Sequence, residues 1–250
     1  MSRGLLARVR QRRRWAHMPT AANANTEQWG WYREQLAAFR AMGGEVDDAD
    51  LYPCLHDRTD TTPFDTHYFY QAVWATERLV TLRPARHVDV GSELRWVGLL
   101  AAWFPVTFID IRPAPVLVAN FETKAGSVLA MPYPDRSIPS LSCMHVIEHV
   151  GLGRYGDPLD PHGSVKAAKE LQRVVAPGGQ LLLSAPVGRE RICFNAHRIY
   201  SPHTVIEWFD ALQMVEFGAV TDDGSFRPQA DPAAFADATY ACGLFRFQRP

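Results

Sequence analysis

From Pro84 onward, short apolar runs alternate with segments of helical spacing, and this alternation restricts the chain more than any other feature. It is the pattern of a parallel sheet whose strands are joined by crossover helices. His-Val-Asp-Val-Gly at 87–91 is the first expected strand, with an amphipathic segment over 93–104 behind it. Residues 106–110 form the second strand and end on Asp110; a weaker one is expected near 127–129 and another over 140–146. A glycine-rich loop follows, then a helix over 165–175 that Pro177-Gly178-Gly179 stops. A buried strand over 180–185, a helix over 204–212 and two late apolar stretches, 214–220 and 240–247, complete the series. The last two fit an antiparallel hairpin closing an α/β, doubly wound sheet.

Such a sheet needs only residues 81–250, so the rest of the 250-residue chain is an addition. Residues 1–25 read as a basic lead and 26–80 as a helical extension that covers the pocket. Within the extension, Trp29, Tyr32, Leu36 and Phe39 fall near one helical face until Gly43-Gly44. Residues 45–63 read as a connector, and Asp65-Thr66 as the cap of a helix that runs to Arg83-Pro84. At 47% hydrophobic and 21% charged residues the chain is neither disordered nor fibrous.

The net charge of −1 hides an uneven distribution: six arginines lie among the first fourteen residues, while residues 15–250 carry 20 basic against 27 acidic side chains, or −7. The body is therefore not a nucleic-acid binder of the all-basic kind. The arginine-rich start is a solvated tail, a transit peptide or a patch touching anionic membrane lipid. The four cysteines Cys54, Cys143, Cys193 and Cys242 stand far apart, as in a reduced, cytoplasmic protein whose thiols pack as small apolar groups. No apolar run reaches the ~18 residues of a membrane span.

In open α/β sheets ligands bind beyond the carboxyl ends of the strands. Asp89-Val90-Gly91 supplies a glycine there, letting backbone approach a cofactor, and Asp110 at the end of the next strand suits the hydroxyls of a ribose. Asp89 has an alternative reading as a buried acid that caps the following turn.

Val88-Asp-Val-Gly91, Asp110, Met131-Pro-Tyr-Pro-Asp135, Ile147-Glu-His149 and Ala176-Pro-Gly-Gly-Gln-Leu-Leu-Leu-Ser184 occur in that order and together resemble the class I S-adenosylmethionine-dependent methyltransferases. Three longer strings, Thr107-Phe-Ile-Asp-Ile-Arg-Pro113, Glu148-His-Val-Gly-Leu-Gly-Arg-Tyr-Gly-Asp157 and Phe194-Asn-Ala-His-Arg198, are similar to a narrower group, the domain of unknown function 268. The resemblance implies a Rossmann-like, mostly parallel seven-stranded sheet and S-adenosylmethionine as cofactor. It makes Asp89, Gly91, Asp110, Ser127, Val128 and His145 the cofactor candidates. The sequence departs from the superfamily pattern in reading Gly91-Ser-Glu-Leu-Arg-Trp-Val-Gly98, without the two further glycines usual after the first strand, and in carrying Ser127 where an acid often stands.

His145-Val-Ile-Glu148-His149 also matches the inverted zinc-peptidase motif, H-x-x-E-H. That motif needs a long helix, and the strand-like residues before it, with Gly151 and Gly153 after it, exclude one. The same segment is similar to the metal-binding region of plant-type small-RNA 2′-O-methyltransferases. That resemblance makes His145, Glu148, His149 and His197 ligands of a divalent metal, for which three imidazoles and one carboxylate suit Zn, Mn, Fe or Co better than Mg. Without metal, His145 or His149 reads as general base, or Glu148 and His149 bind one another and only shape the pocket. His145, Glu148 and His149 are thus the catalytic candidates.

Arg154, Tyr155, Asp157 and His162 give the following loop the makeup of a substrate lid. His67, Tyr68 and Tyr70 are positioned to close over the cofactor, unless the tyrosines form a core stripe. The leading expectation is methyl transfer to an oxygen of a sugar or other polyol, a small-molecule or glycan acceptor, with or without a divalent metal. The alternatives are an inactive binding or assembly module in surface-polysaccharide biosynthesis and a metal-dependent lyase or hydrolase.

Overall fold

The computed structural model describes residues 27–250; the basic lead and its proposed lipid contact lie outside the described residues. The chain divides between Pro63 and Phe64 into two compact units. In the first, α1 (Glu27–Ala41) is the helix expected from the aromatic spacing. It ends where Gly43 takes the left-handed conformation at φ +89°, and Arg40 pairs with Asp48 beyond that turn. The residues after it carry Asp47 as the cap of a short 3-10 turn, its carboxylate accepting from Ala49 N–H.

The division reassigns the second half of the expected 26–80 extension. Helix α2 (Thr66–Leu82), capped by the Asp65 carboxylate on Tyr68 N–H, belongs to the body. It buries Trp74, Ala75 and Leu79 completely, and Trp74 Nε1–H donates to Glu216, with which Arg78 also pairs.

The body is one sheet with helices on both faces. Its strands are β1 (His87–Val90), β2 (Val106–Asp110), β3 (Phe121–Ala125), β4 (Ile138–Met144) and β5 (Val175–Val187), then β8 (Gln213–Val220), β9 (Phe226–Arg227) and β10 (Ala241–Gln248), in the order β3-β2-β1-β4-β5-β10-β8-β9. The first five run parallel, while β10 is antiparallel to β5 and β8 to β10, which is the expected closing hairpin. The two-residue β9 adds an eighth strand beside β8. A separate hairpin, β6 (Arg191–Cys193) with β7 (His197–Ile199), leaves the end of β5.

Alternation of side chains across the pleat divides the core into two layers. Leu181, Leu183, Cys143, Phe245 and Phe247 face α4 (Gly163–Val174) and α5 (Pro202–Trp208), whose Ala168, Leu171 and Val205 are fully buried, as is Phe209 just after α5. Leu182, Met144 and Leu244 face the other way, toward α2 and α3 (Leu94–Leu100) with its Trp96, Val97 and Leu100. Both faces are covered, so the central strands read as continuous apolar runs.

After β1 the chain builds outward through β2 and β3, then returns to place β4 on the other side of β1. That reversal opens a crevice between the carboxyl ends of β1 and β4. Gly91 and His145 are the residues that leave those two ends.

Candidate active site

Two cavities meet at this crevice. The first, of about 460 Å³, is lined by Gly91, Ser92 and Glu93 after β1, Asp110, Ile111 and Arg112 after β2, Ser127 and Val128 after β3, and His145 and Val146 after β4. Gly91 sits at φ +68°; a Cβ built on it would lie 3.3 Å from Val146 Cγ1 and 3.8 Å from Asp110 Oδ2, so the missing side chain keeps that end of the groove open. Asp110 Oδ1 accepts from Arg112 N–H at 2.6 Å. Ser127 spends its hydroxyl oxygen as acceptor for Leu129 N–H.

Asp89 takes the alternative reading. It is fully buried and does not line the groove; its carboxylate accepts from Ser92 N–H and from the Ser92 and Ser142 hydroxyls. The Ser92 oxygen in turn accepts from Met144 N–H. Ser92 therefore ties the β1 loop to β4, and Glu93 already caps α3 through Trp96 N–H. The turn is closed by side chains within three residues of β1, which explains why the two additional glycines are absent; Gly98 lies on α3.

Behind Asp89, His87 is fully buried between the Ser140 and Ser142 hydroxyls at 2.9 and 2.8 Å. Burial holds His87 down at about 3 against an ordinary 6.5, so as pH rises between those values the unfolded chain gives up a proton the folded one never took, and stability rises. Burial also raises Asp89 from 3.8 to about 6, so over that interval the folded chain holds the extra proton and stability falls with pH. The two slopes oppose one another, and His87→Asn removes only the first. Wild-type stability minus that of the variant is expected to grow by about 1.4 kcal/mol per pH unit between roughly pH 4 and 6. Urea unfolding at a series of pH values reads this directly, and parallel curves would contradict it.

The second cavity, of about 720 Å³, is lined by His67, Glu148, Arg154, His197, Asp222 and Tyr240 among others. Tyr68, His145, His149 and Tyr155 line both cavities and form the boundary between them. Burial pushes the Tyr68 and Tyr240 phenols up to about 12, leaving both as neutral O–H donors at ordinary pH.

His145 turns the chain out of β4 at φ +54°, a left-handed conformation uncommon for a residue with a side chain. Its N–H donates to the carbonyl and hydroxyl oxygens of Ser184 on β5, each at 3.0 Å. Its Nδ1 lies 2.7 Å from Glu148 Oε1, and both side chains are buried. Burial alone would lower His145, but Cys242 and Glu148 facing it prevail and hold it well above its ordinary value. Burial alone would raise Glu148, and the facing imidazoles of His145 and His149 instead hold it below. The pair is thus a buried ion pair, and Glu148 Oε2 and His145 Nε2 are left without a hydrogen-bond partner.

His149 Nδ1 is 2.7 Å from the Ala196 carbonyl oxygen, which can only accept, so the proton of the neutral ring sits on Nδ1. Its Nε2 lone pair is directed elsewhere, with Glu148 Oε1 at 3.7 Å. Residues 145–149 form no helix, in agreement with the exclusion of a zinc-peptidase motif.

The four residues of the expected metal quartet do not come together as one cluster of ligand atoms. Among the described residues, the His, Cys, Asp and Glu side chains whose ligand atoms all lie within 4.8 Å of one another are His67, His145 and Cys242. Of the quartet, Glu148 stands behind His145, His149 is held by Ala196, and His197 packs on Tyr240 with ring centroids 5.0 Å apart.

In the lid loop, Tyr155 lies under the Arg112 guanidinium at 4.5 Å and edge-on to His149 at 5.5 Å. Asp157 accepts from Gly151 N–H and Arg154 donates to Ala196 O, so both shape the loop. Arg198 secures its base by donating to Val150 O, Ser164 Oγ and Asp160 O. His162 is exposed at the start of α4 and lines neither cavity, which removes it from the substrate candidates. Tyr70 stacks on Phe226 in the core layer, as the alternative reading of the tyrosines has it. Tyr68 instead stacks over His145 at 5.4 Å. Sequence reasoning missed Cys242 and Tyr240, for which only their position at the start of a late apolar run was a signal.

Strand order, crevice and loop positions are those of the class I S-adenosylmethionine-dependent methyltransferase fold. The N-methyltransferase NodS from Bradyrhizobium japonicum WM9, in complex with S-adenosyl-L-homocysteine, superposes with a TM-score of 0.54 at 16% identity, covering 85% of this chain and 98% of that one. The 1,6-didemethyltoxoflavin-N1-methyltransferase of Burkholderia thailandensis, with bound 1,6-didemethyltoxoflavin and S-adenosylhomocysteine, matches with a TM-score of 0.52 at 13% identity, over 94% of this chain and 93% of that one. The [4+2]-cyclase SpnF shares the fold as well, with a TM-score of 0.51 at 16% identity, over 90% and 96%. Within that fold, residues 135–219 match the family model described as Caenorhabditis protein of unknown function, DUF268. No curated protein matches the sequence.

Proposed function

We propose that the protein is an S-adenosylmethionine-dependent methyltransferase acting on a hydroxyl group of a sugar or other polyol. The observation that carries this reading is the junction of the two cavities at His149, which lines both and whose Nδ1 is held by the Ala196 carbonyl, leaving Nε2 as its free ring atom.

The residues of the first cavity fit the cofactor. Gly91 leaves the groove open beside Asp110, whose Oδ2 is available to ribose hydroxyls, and Ile111, Val128 and Val146 give apolar surface for a flat purine. When bound, S-adenosylmethionine supplies an electrophilic methyl group on a sulfonium. The protein then has two tasks: to hold the acceptor oxygen in line with that methyl group, and to accept one proton. Tyr68, Tyr155 and Tyr240 offer aromatic faces to the C–H surfaces of a sugar ring, and the Tyr68 and Tyr240 hydroxyls donate to its oxygens. His149 Nε2 takes the acceptor's O–H proton as the oxygen–methyl bond forms and the sulfur–methyl bond breaks. Glu148, 3.7 Å from that nitrogen, offsets the charge of the imidazolium.

The test is label transfer from methyl-labelled S-adenosylmethionine to a panel of monosaccharides, acyclic polyols and amines. The expected result is label in an ether on a polyol. Label on nitrogen, or none on any hydroxyl compound, would refute the acceptor class.

A further inference from the structure

Three side chains from distant parts of the body converge beside the second cavity: His67 from the first turn of α2, His145 from the end of β4 and Cys242 from β10. The His67 and His145 rings stack nearly parallel, 8° apart in plane with centroids at 5.6 Å. Cys242 is fully buried. His145 gives Nδ1 to Glu148, which leaves Nε2 as its free ring atom, and that atom is buried with no hydrogen-bond partner.

We propose that His67, His145 and Cys242 form a binding site for one zinc-class divalent cation, with Glu148 orienting His145 from behind. Two imidazoles and a thiolate are a borderline-soft donor set, suited to Zn²⁺ or Co²⁺ and unsuited to Mg²⁺ or Ca²⁺. A carboxylate on the far nitrogen of a ligating histidine is the usual support that fixes the ring and its tautomer. Charge also balances: the ion takes the place of the proton on His145 Nε2, and the thiolate and Glu148 together then offset a dication. Three protein ligands leave one tetrahedral position over. Because His67 and His145 also line the second cavity, the ion borders the space assigned to the acceptor. The site stands whether or not the neighbouring groove carries S-adenosylmethionine.

Full-length protein stripped with chelator and titrated with Co²⁺ tests it, followed by Zn²⁺ competition against a chromophoric chelator. The expected result is one ion per chain, tetrahedral visible bands and a thiolate-to-cobalt charge-transfer band. Cys242→Ser should abolish that band, and His67→Gln, near the helix start and only partly buried, should weaken Zn²⁺ at least about 100-fold. Glu148→Gln should weaken it about 10- to 100-fold, and His197→Ala should leave it unchanged. Absence of the charge-transfer band, or Zn²⁺ affinity unaltered in His67→Gln, would overturn the site. Calorimetry with S-adenosylhomocysteine in excess chelator reports on the methyltransferase reading separately.

Discussion

Gly91→Val is expected to weaken S-adenosylhomocysteine binding by at least about 100-fold while the protein stays folded. Two effects combine. A β-branched residue at φ +68° is strained by on the order of 1–3 kcal/mol. Its Cβ would stand 3.3 Å from Val146 and 3.8 Å from Asp110 Oδ2, with the γ-methyl groups reaching further into the open end of the groove. Asp110→Asn is the gentler companion. Its amide oxygen keeps the acceptor for Arg112 N–H but loses the charge facing the ribose, so a loss of about tenfold or more in affinity is expected. Circular dichroism confirms folding and calorimetry reads the affinity. Binding of wild-type strength in both variants would place the cofactor elsewhere.

The second large effect is on turnover. His149→Ala is expected to lower kcat about 100- to 10,000-fold, the range of a positioned general base, with S-adenosylhomocysteine affinity changed less than about threefold. Glu148→Gln retains the shape and removes the charge beside Nε2, so its deficit should be smaller, about 10- to 100-fold, and should fall on kcat rather than KM. An unchanged kcat in His149→Ala would show that the proton leaves by another route.

The sequence legible as a wound sheet was that of strands buried on both faces, where apolar runs are continuous: β1, β2, β4, the centre of β5, and β10 with the second half of β8 in the closing hairpin. The edge strand was not legible. β3 is Phe-Glu-Thr-Lys-Ala and buries only Phe121, so its polar residues hid it and the apolar residues at 127–129 drew the expectation downstream. β5 begins five residues earlier than expected because a register shift against β4, between Ile138 and Ser140, absorbs Pro177-Gly178-Gly179 inside the strand. The three-residue β6 and β7 carry too little pattern for any periodicity to show.

At the site, Gly91 and Asp110 were legible because strand-end position alone assigns them. Asp89 was ambiguous because the sequence shows that it is an acid but not that Ser92 and Ser142 surround it. His67, His145 and Cys242 were not legible as a set: they lie 78 and 97 residues apart in the chain, and only the closing hairpin and the body helix before β1 bring them together.

The account rests on the crevice between β1 and β4 being a nucleoside-cofactor groove, and isothermal titration of the full-length protein with S-adenosylhomocysteine tests this most directly. It predicts one saturable binding event per chain with a dissociation constant in the micromolar range or tighter, lost in Gly91→Val. No heat and no thermal shift up to millimolar ligand, with and without added Zn²⁺, would contradict it.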